Sequence, residues 1–94
     1  MPIMGRDDLE YEYTWTTTPG DSPNHIHSPD NKLLNRAEGY EVLYFINEFL
    51  EDENLTTKAS GKKAEWLIQE HLPDEIRDRY VIQLWLRRNW DRRF

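Results

Sequence analysis

The densest apolar run in the first two-thirds of the chain lies over residues 40–50, YEVLYFINEFL. At about 100° of rotation per residue, Val42, Leu43, Phe45, Ile46, Phe49 and Leu50 fall within an arc of roughly 160°, with Glu41, Glu48 and Asp52 opposite. A strand would leave both of its faces largely apolar, so the spacing predicts a helix with one buried side. Asn35 is a candidate cap, and Glu38 then sits in the first turn, where the dipole favours an acid; this sets the helix at about 35–53.

Two further helical patterns follow. From Lys62 to Leu72, Ala64, Leu67, Ile68, His71 and Leu72 share a face, and Gly61 predicts a start near 61, giving a helix over 61–72. Trp66 falls almost opposite Ile68 and His71. Pro73 suits the first turn of a third helix, with Asp74 and Glu75 behind it and Arg87 and Arg88 in its last turn, over about 74–90. That third pattern is apolar nearly all round. Ile76, Tyr80 and Leu84 form one stripe, Ile82, Leu86 and Trp90 a second, and Val81 and Trp85 a third flank. A helix of this kind needs cover on more than one side. The expectation is a homodimer with Ile82, Trp85, Leu86 and Trp90 at the interface.

Before the helices, residues 8–17, DLEYEYTWTT, alternate with period two. Leu9, Tyr11, Tyr13 and Trp15 lie on one face, and Glu10, Glu12, Thr14 and Thr16 on the other. This reads as a half-buried strand. No second strand is evident, so it packs across the helices, pairs with another copy, or extends a partner's sheet. Pro19-Gly20 ends it, and a polar loop runs on to Lys32. The expected fold is mainly α: a small three-helix domain over 33–94, preceded by an extended, β-like arm and loop over 1–32, forming a single domain overall.

Composition narrows the chemistry. The chain has 94 residues and no cysteine, which excludes disulfides and thiol catalysis. It has no apolar run of membrane-spanning length and no recognisable signal peptide, so a cytoplasmic protein is expected. The net charge of −6 is unevenly placed, with −9 over residues 1–53 and +3 over residues 54–94. Either the two halves complement each other, or one of them presents its charge to a partner.

Candidate functional residues follow from surplus side chains. Tyr40 and Tyr44 line up with Asn47 beside Glu48, off the apolar arc; with Trp66 they form the candidate partner-binding set. His25 and His27, with Asp30 nearby, have the spacing of a weak divalent-metal motif, but no third strong ligand is evident, and no cofactor is expected. Lys58, Lys62, Lys63, Arg87, Arg88, Arg92 and Arg93 are the candidate nucleic-acid contacts, and 62–90 loosely resembles a helix-turn-helix. Pro73, Asp74 and Glu75 oppose that reading, because they stand where phosphate would have to be met. No nucleophile elbow, phosphate loop or metalloprotease motif is present, so the chain is not expected to be an enzyme. The expected function is a small protein-interaction module: an adaptor, modulator or inhibitor acting by surface contact on another protein. The alternative is a DNA-binding regulator.

Overall fold

A computed structural model describes residues 3–15 and 33–91. Its helices are α1 (Gly39–Asp52), α2 (Lys58–Trp66) and α3 (Arg79–Arg88). A π-helical turn, Leu67–His71, continues α2, and a short 3-10 turn, Arg6–Asp8, lies in the N-terminal segment. The mainly helical, three-helix architecture is as expected, with differences at the helix ends.

The predicted face of α1 is the core. Val42, Ile46 and Leu50 have no exposed surface, and they meet Ala64, Leu67, Ile68, Ile82 and Leu86 in one cluster. Burial of each large side chain contributes about 1.5–3 kcal/mol. The helix starts at Gly39 rather than near Asn35. Asn35 caps a turn instead: its carbonyl accepts Glu38 N at 3.1 Å and its side chain accepts Ala37 N at 3.0 Å. Glu38 is then the cap, accepting Tyr40 N at 3.3 Å. At the other end Asn54 takes a left-handed conformation with φ 58, and Leu55 N donates to Leu50 O at 2.8 Å. That reversal closes the helix without basic residues in its last turn.

α2 starts at Lys58, earlier than expected. Thr57 caps it by accepting Ser60 N at 3.2 Å. Gly61 therefore lies within the first helical turns. It serves close packing there: a Cβ at this position would overlap the Sδ of Met4 and come within 2.5 Å of its Cγ.

α3 starts at Arg79, later than expected. Asp78 caps it, accepting Tyr80 N at 2.9 Å and Val81 N at 3.3 Å. Residues 73–78 form a connector whose carbonyls are held from outside. The Arg36 guanidinium donates to Leu72 O at 2.9 Å, Pro73 O at 2.5 Å and Ile76 O at 2.6 Å. Leu34 N donates to Arg77 O at 2.9 Å, and Leu33 forms an antiparallel bridge with Asp78. With these groups satisfied externally, the connector has no need to be helical.

The N-terminal segment crosses α1 and α2. Exposure alternates from Leu9 to Trp15, odd positions partly covered and even positions exposed. No strand ladder forms among the described residues; Thr14 makes a single parallel bridge with Glu38. The remainder of the expected strand and loop, 16–32, lies outside the described residues.

Candidate functional site

The junction between the N-terminal segment and the helices explains many of the polar residues. Asn47 Oδ1 accepts Ile3 N at 3.1 Å and Met4 N at 2.8 Å, while Asn47 Nδ2 donates to Met4 O at 3.0 Å. Farther along, the fully buried Glu65 carboxylate accepts Glu10 N at 3.0 and 3.1 Å, Tyr11 N at 3.2 Å and the Tyr13 hydroxyl at 2.6 Å. Gln69 Nε2 joins the network by donating to Tyr13 Oη at 3.2 Å and Arg36 O at 3.0 Å. All three side chains, Asn47, Glu65 and Gln69, thus grip main chain. Burial, reinforced by the Glu65 hydrogen bond, pushes the Tyr13 phenol far above its ordinary range. Desolvation and a 2.8 Å hydrogen bond to Glu70 push Tyr11 up to about 12.

Two of the expected partner-binding residues are therefore engaged within the chain. Asn47 holds the Ile3–Met4 backbone and is not a spare surface group. Tyr40 packs edge-on against Trp15, with ring centroids 4.9 Å apart, and Arg6 lies 4.6 Å from the Trp15 ring and 5.8 Å from Tyr40. Tyr44 is half-buried and Glu48 exposed on the same helix. Trp66 packs against the core and meets His71 edge-on at 4.4 Å. An α-helix would set two residues five apart at about 140° to each other; the wider π turn swings them together.

The expected interface residues divide. Ile82 and Leu86 have no exposed surface within the single chain, so they are unavailable to a second one. Trp90 packs on Phe49 at 5.4 Å and beneath Lys63 at 4.9 Å, and Trp85 is half-buried against the core. The uncovered apolar side chains on α3 lie elsewhere. Tyr80 is 68% exposed and Val81 44%, and Leu33, bridged to Asp78 just before the helix, is 57% exposed. Ile82 and Leu86 face inward, while Tyr80 and Leu84 fall about 120–160° away around the helix, flanked by Val81. The helix is apolar on two sides, as its sequence suggests, but its outer side uses different residues from those expected.

Charge pairing weakens the nucleic-acid reading. Lys58 meets Asp8 at 3.3 Å, Lys62 meets Glu10 at 3.4 Å and Arg87 meets Glu53 at 3.3 Å. With Arg79–Glu41 at 3.1 Å, these pairs join acidic residues of the first half to basic residues of the second. Lys63 sits over Trp90 and Arg88 is exposed, while Arg92 and Arg93 lie outside the described residues. His25 and His27 also lie outside them. Among the described residues no group of three metal-ligating side chains occurs, and no helix is long and apolar enough to cross a membrane.

Sequence reasoning missed Glu65, Arg36, Gln69 and the packing roles of Gly39 and Gly61. One signal was present for Glu65: it lies next to Ala64, between the lysines and the apolar face, where a charge approaches the core. No family model matches the chain, and neither a curated protein nor a solved structure matches it.

Proposed function

We propose that this chain is a small, non-catalytic protein-interaction module that acts by surface contact through the outer face of α3. The observation carrying this reading is the exposure of Tyr80, Val81 and Leu33 together at the amino end of that helix. Large apolar side chains gathered at one place on a small surface favour contact with another macromolecule. Tyrosine is also enriched among residues that dominate binding energy. The polar clusters elsewhere support the same conclusion, because Glu65, Asn47 and Arg36 are taken up by main-chain groups of the chain itself. The DNA-binding alternative receives no comparable support, since three of its candidate cations face carboxylates.

The test places a photo-crosslinking amino acid at position 80 in cells, with exposed position 59 on α2 as the control. Adducts from position 80 that diminish with Val81→Asp are expected. Equal yields from both positions would overturn the assignment of α3 as the contact surface.

A further inference from the structure

We propose that the seat of residues 3–15 on α1 and α2 is an exchangeable peptide-binding groove, and that a second copy of this chain fills it with its own residues 3–15 in a reciprocally exchanged dimer. This inference is independent of the contact face on α3.

The groove holds its segment largely by main chain. Asn47 takes the amides of Ile3 and Met4 and the Met4 carbonyl, and Glu65 takes the amides of Glu10 and Tyr11. Two glycines form the floor, Gly61 beneath Met4 and Gly39 beneath Trp15. Two ion pairs line the rim, Asp8–Lys58 and Glu10–Lys62. Main-chain hydrogen bonds give affinity and side-chain slots give register, as when an extended peptide is recognised in trans. Of the segment's residues Met4 alone is buried. The centre of the core, Ile46, Leu67 and Ile82, is shared among the helices, so release of the segment uncovers the edge of the core.

Each of these contacts joins residues 3–15 to residues 39–65, across the 17 positions from 16 to 32. None depends on whether its two sides belong to one chain. A tether of that length reaches at most about 60 Å. The described residues extend 36 Å along their longest axis, so the seat of a neighbouring copy lies within range. The exchanged dimer repeats every contact of the single chain, and its cost is the loss of the tether alone. A tether of this kind holds its segment at an effective concentration on the order of 1 mM, which sets where dimers appear.

Sedimentation equilibrium of the full chain from about 10 µM to about 1 mM should show dimer at the upper end. A disulfide trap then identifies what joins the copies. The chain has no cysteine, and a Cβ on residue 61 comes within 2.5 Å of Met4 Cγ. The β-carbons of a Met4→Cys/Gly61→Cys pair therefore stand within about 4 Å, the span of a disulfide. Oxidised at the low concentration, this variant should close within one chain. Oxidised at the high concentration, it should close between chains, with about fivefold more covalent dimer than the Met4→Cys/Ala59→Cys control. Tyr13→Phe should speed exchange about fivefold and leave the dimer fraction unchanged, because the lost hydrogen bond is common to both forms. A chain monomeric throughout, or a trap that closes only within one chain, overturns the inference and leaves the segment a fixed part of its own fold. A trap that closes at neither concentration, or gives no more dimer than the control, overturns it as well. A dimer without interchain disulfides that Tyr80→Ser dissolves belongs to α3, and overturns the exchange while retaining that face.

Discussion

The Tyr13 hydroxyl donates to Glu65 Oε2 at 2.6 Å, joining residues 52 positions apart. The carboxylate is fully buried and also receives the Glu10 and Tyr11 amides. Hydrogen bonds to a charged group contribute about 1.5–3 kcal/mol each when their partners are lost singly. Glu65→Gln retains one acceptor but turns an amide donor toward donors. It should lower unfolding stability by about 2–3 kcal/mol in urea titration. Tyr13→Phe should cost less, and the double variant should fall short of the sum, since both changes break one network.

The Trp15 ring lies directly over Gly39, where an added Cβ would come within 2.5–2.6 Å of indole carbons. A rigid indole has no flexible end to yield. Gly39→Ala should therefore destabilise by about 1–3 kcal/mol, and much of that loss should vanish in a Trp15→Ala background. Gly61→Ala meets the flexible thioether of Met4 instead. Its cost should be smaller, because alanine gains about 1 kcal/mol of helix propensity over glycine. Thermal unfolding of the four variants distinguishes the two seats.

Tyr11 and Tyr13 predict how the fold responds to alkali. Both phenols are raised in the folded chain, Tyr11 to about 12 from an ordinary value of 10.0 and Tyr13 further. The unfolded chain therefore loses these protons first. Their contribution is complete below pH 10 and declines as pH rises toward and beyond 12. An ultraviolet titration should show these two of the five tyrosines ionising late, together with loss of helical dichroism. Tyr11→Phe should remove part of that pH dependence without changing its sign.

Arg36 holds three carbonyls of the connector before α3, and burial lowers its guanidinium pKa. Arg36→Ala should destabilise by about 2 kcal/mol by leaving carbonyls without donors. Arg36→Lys should recover little, because a single ammonium cannot reproduce the planar fork. Amide exchange over residues 73–78 should accelerate in both variants before it does in α1.

The helices were legible because their buried faces repeat with helical spacing. Val42, Ile46 and Leu50 announce the inner side of α1 without reference to any distant residue. The boundaries were less legible because remote groups decide them. Thr14 takes the backbone around Glu38, and Arg36 takes the carbonyls of the 73–76 connector. Gly61 looked like a helix boundary because its packing partner, Met4, is 57 positions away in the chain. Charge asymmetry was visible, but only the three-dimensional pairing of Lys58 with Asp8 and Lys62 with Glu10 shows that the halves meet. On α3 the two-sided apolar pattern was readable. Which side faced inward depended on the position of the other helices, and Ile82 and Leu86 took that side.

The distance along the chain between the N-terminal segment and Glu65 has a consequence for synthesis. Glu10 and Tyr11 are translated early, but the carboxylate that receives their amides arrives 55 and 54 residues later. Met4 likewise waits for Gly61. Residues 4–15 are therefore synthesised well before their seat on α2 exists, and their aromatic side chains meet solvent or a chaperone meanwhile. Docking can follow only after α2 has cleared the exit tunnel. Such long-range closure is slow relative to local helix formation, so a segment made before α2 docks only after α2 has formed.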